Sequence, residues 1–420
     1  MGGNVMSISA VAIWIISLLS ILGMLVRPRG IAEAWWACGG ALLLVAGGLL
    51  SFSQAGHAIG EGLDVYLFLT GMMMLSELAR EKGVFDWIAE WAARHAQGSP
   101  RRLFLLIYLA GTVVTAFLSN DATAVVLTPA VLAIVRHLKV EPLPHLLACA
   151  FIANAASFIL PISNPANLVI FDGHMPPLGQ WLGFFLASSL VSVVVTFLCL
   201  GMLMKSRLSG KIEVVLPLHP LSTDGKLALG GLILSAVVLV TASALGWPLG
   251  WPTCGAALVA TLLVGFRDRA VPMRVARGVS WSVLPLVAGL FMIVAALQNT
   301  GLLQLAARGL AAAAHLGHVA GNLATGFTVA LLSNGMNNLP VGLISGAAVR
   351  AADGHGTFAN AVLIGVDLGP NLSVTGSLAT ILWLIALRRE KVKITAWQFL
   401  KVGLIAMPLA LLAAMLVLRK

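Results

Sequence analysis

Two short polar stretches, each set inside a long apolar run, restrict what this chain can fold into more than any other feature. Leu118-Ser119-Asn120-Asp121-Ala122-Thr123 lies between apolar arms and leads into Thr128-Pro129. A near copy, Leu332-Ser333-Asn334-Gly335-Met336-Asn337-Asn338-Leu339-Pro340, returns about 214 residues later. In lipid an unsatisfied polar group costs several kcal/mol, so such residues persist only when buried in protein or lining a wet cavity. One copy alone reads as an ordinary extramembrane turn. Two related copies, one in each half, point to a transport site built from interrupted helices at the membrane midplane.

The apolar setting extends along the whole chain. Hydrophobic residues make up 59% and charged residues 10%, with a mean hydropathy of +0.97, where a soluble domain carries about a quarter charged residues. The chain reads as an all-α polytopic membrane protein with no separate soluble domain. Its net charge of +10 comes from basic residues placed between apolar spans, not on one face. That pattern is positive-inside topology and gives no reason to expect nucleic acid. Residues 6–26 exceed a signal-peptide core, lack basic residues before them and have Arg27 and Arg29 after them, which predicts an uncleaved span with the N-terminus outside.

Several function classes find no support. The four cysteines are single and scattered, and the nine histidines lie in or beside loops, so neither a disulfide framework nor a zinc site is expected. There is no GxxxxGK[ST] loop, no HExxH and no GxSxG, so ATP hydrolysis by this chain, enzymatic activity and a cofactor are not expected.

In chain order, spans are expected at 6–26, 31–53 and 64–80, followed by a short amphipathic interfacial helix at 83–96 carrying Trp87 and Trp91. A hairpin at about 102–138 has basic residues at both feet and its polar tip at 119–123. Arms of about sixteen residues rise about 24 Å, so it reads as re-entrant; two full spans joined by a tight turn are the alternative. A broken span at about 143–173 is interrupted by Pro161-Ile162-Ser163-Asn164-Pro165-Ala166-Asn167, where two prolines remove backbone donors. A span at 178–204 closes the first unit, 1–204.

Residues 205–226 form the hydrophilic linker, and 227–420 repeat the plan. The second unit has spans at 227–246, 251–266 and 279–298, a short helix at 302–316, and a hairpin at about 319–349 with its tip at Ser333–Asn338. A broken span at about 358–388 and a final span at 395–418 follow. Each unit thus holds five crossings and one re-entrant hairpin, and the odd number inverts the second copy. With the N-terminus outside, all 26 Lys and Arg but Arg308, Arg350, Arg419 and Lys420 fall on the cytoplasmic side. Both termini are then expected outside the cell membrane, with the first hairpin opening from the cytoplasm and the second from outside.

The four breaks contribute Ser119, Asn120, Asp121 and Thr123; Ser163, Asn164 and Asn167; Ser333, Asn334, Asn337 and Asn338; and Asn371, Ser373, Thr375, Ser377 and Thr380, with Asn154 shortly before the first broken span's interruption. Carboxamides and hydroxyls both donate and accept, and half-helix N-termini add partial positive charge. No Lys or Arg falls in a break and no Cys or Met cluster is present, so neither a strongly anionic solute nor a bare soft metal ion is suited. A small neutral polyhydroxyl solute fits, and so does a hard cation held by oxygens. Asp121 and Asp367 lie deep, where acids are costly and usually functional, although helix capping is the alternative role. Burial and half-helix dipoles act oppositely on a carboxyl, a combination that suits proton coupling. Glu77, near the end of a span, reads as an interfacial residue.

These residues resemble a known family. Ser119-Asn120-Asp121-Ala122-Thr123 through Leu127-Thr128-Pro129 is similar to the Asn-Asp…Leu-Thr-Pro signature of arsenite efflux permeases, the arsenical pump membrane proteins of the ion transporter superfamily. Phe151 to Ser157 with Ser163 to Leu168, Met336-Asn337-Asn338-Leu339-Pro340, and Asp367-Leu368-Gly369-Pro370-Asn371 with Thr375 to Thr380 resemble three further stretches of that family. Asn154 departs from an Asp expected in some members, and Leu339 replaces Met. The resemblance implies export of arsenite or antimonite as the neutral trihydroxide through a bacterial inner membrane. The drive would be inward proton flow, with elevator-like alternating access, or a docked soluble arsenite-stimulated ATPase. A sodium/proton antiporter and a silicic acid exporter of the same fold are the alternatives.

Overall fold

The computed structural model describes residues 8–171, 175–212, 220–352 and 357–418, and the regular elements among them are helices. The first are α1 (Ile8–Val26), α2 (Glu33–Ala46), α3 (Phe52–Glu61), α4 (Leu63–Glu81) and α5 (Val84–His95). Then come α6 (Pro100–Phe117), a π-helical turn (Ala122–Leu127), α7 (Thr128–His137), α8 (Pro142–Ala155), a short 3-10 turn (Pro161–Ser163), α9 (Pro165–Ile170) and α10 (Leu178–Leu203). Beyond residue 220 lie α11 (Thr223–Ala244), α12 (Gly250–Gly265), α13 (Val271–Gly278), α14 (Val283–Gln298) and α15 (Leu302–Ala314). The chain ends with α16 (His318–Met336), α17 (Asn338–Ala351), α18 (Thr357–Leu368), a 3-10 turn (Gly369–Asn371), α19 (Leu378–Arg389) and α20 (Ala396–Leu416).

Among the described residues, six helical segments are long and apolar enough to cross a membrane, or seven if α3 and α4, bent by 46° at their junction, form one span. Other expected spans are shorter helices or pairs meeting at a break. The outer helices present apolar side chains outward, such as Leu186, Leu190, Val194 and Leu198 on α10, as lipid contact requires. By contrast α8 is buried at every position from Pro144 to Ala155. A helix that is apolar on all sides belongs in the interior, and α8 packs among α6, α7 and α10, while α18 packs among α16, α17 and α20.

Two short helices were not anticipated, α3 ahead of α4 and α13 ahead of α14. The expected span at 31–53 stops at Gly47, because Gly48 takes a left-handed φ of 67°. Ser51 then opens α3 with a capping box, its hydroxyl accepting from the Gln54 amide at 3.2 Å while the Gln54 side chain accepts from the Ser51 amide at 3.1 Å. These reciprocal bonds satisfy donors that a helix start leaves unpaired.

The same helix contact is built twice. α4 packs on α12 and α14 packs on α2. A β-carbon at Gly71 would lie 2.7–2.8 Å from the backbone of Thr253 and Cys254, and one at Gly289 would lie 2.8–3.0 Å from the backbone of Ala37 and Cys38. Small residues let membrane helices approach this closely. At one end of α4, Lys82 bridges Asp224 at 3.5 Å and Asp268 at 3.2 Å, and Arg267 reaches Asp224 at 2.9 Å. These ion pairs fasten α4 to α11 and to the α12–α13 turn.

Because a methyl at either glycine meets backbone that cannot yield cheaply, Gly71→Ala and Gly289→Ala should each destabilise the detergent-solubilised protein by about 1–3 kcal/mol. Gly179→Ala on α10, where no atom lies within 4 Å, should not lower the thermal midpoint. Equal midpoints for all three variants would show that the two contacts are not tight.

Candidate functional site

The four breaks meet in the middle of the structure, and the local chemistry of each explains where the chain turns. After α6 the backbone pivots at Ser119, whose φ is 142°. Its hydroxyl accepts from the Ala122 amide at 3.3 Å, and the Asn120 carbonyl oxygen accepts from the Asp121 amide at 2.9 Å. The wider π turn that follows fits Pro129, which has no N–H to lose when the register changes. The Thr128 hydroxyl donates to the Thr123 carbonyl at 3.1 Å, while the Thr123 hydroxyl contacts that of Thr115 at 2.8 Å and the Gly111 carbonyl at 3.3 Å.

The second hairpin turns at Asn337 (φ 74°), later in the chain than the similarity between the two polar stretches suggests. Ser333 and Asn334 therefore lie inside α16, and Leu339, not Gly335, occupies the place that Asp121 holds in the first tip. Asn334 ties α16 to the neighbouring break. Its amide donates to the Gly369 carbonyl at 2.8 Å, its side-chain oxygen accepts from the Ser373 hydroxyl at 2.6 Å, and its backbone carbonyl accepts from Thr375 at 3.0 Å. The Ser333 hydroxyl turns back to the Val329 carbonyl at 3.0 Å.

The two broken spans are cross-linked by side chains. Asn164 caps α9, accepting from the Ala166 amide at 3.0 Å, and Ser377 caps α19, accepting from the Thr380 amide at 3.1 Å. The penultimate residue of each preceding half-helix reaches the cap of the other span. Asn164 donates to the Asp367 carboxylate at 2.7 Å, and the Ser377 hydroxyl approaches the Asn154 side-chain oxygen at 3.4 Å. Asn154 also donates to Asn371 at 3.0 Å and to Thr380 at 3.4 Å, and Asn371 donates to the Phe151 carbonyl at 3.0 Å. Ser163 donates to the Ala116 carbonyl at 3.0 Å, and Asn167 to the Ser157 carbonyl at 3.0 Å.

The hairpins are fastened to these spans at their feet. Arg136, at the end of α7, donates to the Glu390 carbonyl at 2.5 Å, and Arg350, at the end of α17, donates to the Ile170 carbonyl at 3.0 Å. Each arginine thereby satisfies a carbonyl at the C-terminal end of a half-helix from the other half of the chain, a favourable place for a cation.

Seven of the sequence-predicted residues line cavities between the tips. Asn120, Asp121, Asn164, Asn338 and Ser377 surround a pocket of about 20 Å³, room for about one water-sized group. It adjoins a larger cavity of about 90 Å³ that Asp121 and Ser119 share with Ser76, Glu77 and Ser280. Asn337 lines a third small pocket beside Glu33. Leu378, the first residue of α19, lines all three. Thr123, Asn154, Ser163, Asn167, Asn371, Thr375 and Asp367 form the hydrogen-bonded layer behind. Among the described residues, no hydrogen bond engages the Asp121 carboxyl or the Asn338 side chain, and no Lys or Arg lines the three cavities.

Glu77 was read as interfacial, but it is only 8% exposed and faces the same cavity as Asp121. The signal for it was periodic, since Leu69, Met72, Met73 and Ser76 line that cavity from the same face of α4. A separate groove of about 500 Å³ between α15 and the second hairpin is walled mainly by apolar and small residues and lies apart from the breaks.

The family model described as Citrate transporter matches residues 11–369. The chain belongs to this family. It is also 29% identical over 403 residues to an arsenical pump membrane protein of Escherichia coli, covering 93% of this chain and 94% of that protein. The resemblance drawn from the breaks is thus borne out along nearly the whole length. Among solved structures, the chain is similar in fold to the Alcanivorax borkumensis YdaH transporter, with a TM-score of 0.59 and 15% identity over 87% of each chain. It is likewise similar to Neisseria gonorrhoeae MtrF, with a TM-score of 0.56 and 13% identity over 99% of this chain and 95% of that one. The family member described here is a multi-pass membrane transporter.

Asn154→Leu removes the donor shared by Asn371 and Thr380 and should lower the stability of the purified protein by about 1–3 kcal/mol, the cost of orphaning buried polar groups. Asn338→Ala removes a side chain that makes no hydrogen bond within the described residues and should leave the thermal midpoint close to wild type. The reverse order of stabilities would reverse the assignment of these two residues to supporting layer and cavity wall.

Proposed function

We propose that the protein exports arsenite and antimonite as the neutral trihydroxide, in exchange for protons, across the bacterial inner membrane. The observation that carries this reading is the lining of the cavities between the breaks. Ser119, Asn120, Asn164, Asn338 and Ser377 line them, and no Lys or Arg does. A tricarboxylate such as citrate has no cationic partner there, and Glu77 and Asp121 repel it. A neutral solute with three hydroxyls can both donate to and accept from this lining.

Asp121 is the proposed proton carrier. Export of a neutral solute gains nothing from the membrane potential unless charge moves with it, and a carboxyl that binds a proton on one side and releases it on the other supplies that charge. Its lack of a hydrogen-bond partner among the described residues leaves it free to exchange protons with cavity water. Asp367 is held by Asn164 and is the secondary candidate. The inverted-repeat plan, with hairpins and broken spans moving together against the remaining helices, would alternate access. The arginine links at the hairpin feet favour that grouping, because they join each hairpin to a half-helix of the opposite unit.

Everted membrane vesicles test substrate and coupling together. An interior-acid proton gradient should accelerate arsenite uptake, with no sodium movement. Asp121→Asn should retain arsenite exchange but lose the acceleration, while Asn120→Ala should abolish both with the protein still folded in the membrane. Gradient-independent arsenite uptake would overturn the antiport, and sodium movement without arsenite would overturn the substrate.

A further inference from the structure

The cavity holding Asp121 has a second carboxylate, Glu77. Glu77 lines the same 90 Å³ space, together with Ser76, Ser119 and Ser280. Its side chain is 10% exposed, whereas its partner Arg80 is 54% exposed and extends towards water. Arg80 holds both carboxylate oxygens, with Nε 2.8 Å from Oε2 and Nη2 on Oε1. From the other side Gly278, at the end of α13, closes on the carboxylate so tightly that a β-carbon there would lie within 2.1 Å of its atoms. A buried carboxylate pinned between an exposed arginine and a helix end, on the wall of a cavity that also holds an unpaired acid, occupies the place of a relay.

We propose that Glu77 is the station through which protons leave Asp121 for the cytoplasm, a step that rests on the antiport reading. The protonated Asp121 carboxyl gives its proton, directly or through one cavity water, to the Glu77 carboxylate. Asp121 is left as the carboxylate and Glu77 as the neutral acid, with its hold on Arg80 loosened. Glu77 then passes the proton to bulk water and the ion pair with Arg80 re-forms. Charge balances at each stage, and no group beyond water is needed.

Besides Glu77, the carboxylates Glu81 and Asp86 also act on Arg80 through space. At this end of α4 the neighbours are Glu81 and Lys82 on the same helix, Asp86 on α5, Asp224 on α11, and Arg274 and Arg277 on α13. Lys82, Asp224, Asp268, Arg274 and Glu81 are paired with one another. The remaining long elements packed there, α12 and α14, bring no charged residue, and neither does α9.

Everted vesicles expose the cytoplasmic face to the medium, so proton release can be followed directly. Glu77→Gln keeps the side chain's shape and removes its ability to take a proton. Gradient-driven arsenite uptake should fall at least about tenfold, against the about hundredfold a positioned proton carrier contributes where transfer alone limits. Gradient-free exchange should fall far less. Raising the external concentration of the impermeant buffer HEPES at constant pH should restore much of the driven rate in Glu77→Gln and leave wild type unchanged, because the buffer accepts the proton in place of Glu77. Gly278→Ala, which displaces the flexible end of Glu77 without removing it, should show the same buffer-dependent loss. Wild-type uptake driven by the gradient with undiminished uptake in Glu77→Gln refutes the relay alone. Equal loss of exchange and driven uptake, insensitive to buffer, also refutes it and marks Glu77 as structural. Wild-type uptake indifferent to the gradient refutes the antiport and the relay together.

Discussion

A helix interrupted inside a membrane exposes amide and carbonyl groups that lipid cannot satisfy, and the rest of this structure is arranged around that constraint. Three of the four breaks here are tied together by one another's side chains. Asn164 answers Asp367, Ser377 and Asn371 answer Asn154, and Ser373 and Thr375 answer Asn334. The Asn338 amide donates to the Gly376 carbonyl at 2.9 Å, joining the second tip to the last break. The two broken spans and the second tip are thus held in register by one another, while Ser163 reaches the Ala116 carbonyl at the end of α6 below the first tip. These bonds support backbone that would otherwise be strained, as at Ser119 and Asn337, where non-glycine residues adopt positive φ.

The same economy determines the character of the cavities. Groups needed to complete the backbone, such as Asn154, Asn371 and Asn334, lie behind the surface and are already paired. The groups facing the space are those left over, namely Asp121, Asn338 and parts of Asn120, Asn164 and Ser377. They set a few polar groups, none of them cationic, into a lining that is otherwise largely apolar, with Leu69, Met72, Val125 and Leu382 among its walls. Positive charge is kept at the membrane ends, where Lys82, Arg267 and Arg274 bind α4, α11 and α13 into one frame. The close glycine contacts at Gly71 and Gly289 add a second set of fixed joints in that frame.

Several features were legible before any coordinates because they depend on local chemistry. Pro161 and Pro165, two prolines within five residues, remove two backbone donors from a would-be helix, the 83–96 stretch is amphipathic by its own periodicity, and α5 spans Val84–His95. Other features were not. The similarity between the two polar stretches pairs Asn120 with Asn334, yet the turn falls at Asn337. The apolar residues on either side permit either register, and the bonds from Asn334 to Gly369 and from Asn338 to Gly376 decide between them. Glu77 looked interfacial because its position along α4 indicates depth but not what packs over it. Gly278 closes over it from α13.

Composition and the paired polar interruptions were therefore enough to establish an all-helical transporter with breaks at its centre, since hydropathy and proline act through the chain's own neighbours and the lipid. Which polar residues face the cavity and which complete a neighbour's backbone was decided by tertiary structure alone. Asparagine and serine have the same donors and acceptors in either role. For Asn154, Asn164 and Asn371 the assignment rests on partners more than 200 positions away, as in the bond from Asn164 to Asp367 (203 positions apart), and local sequence carries no record of that distance.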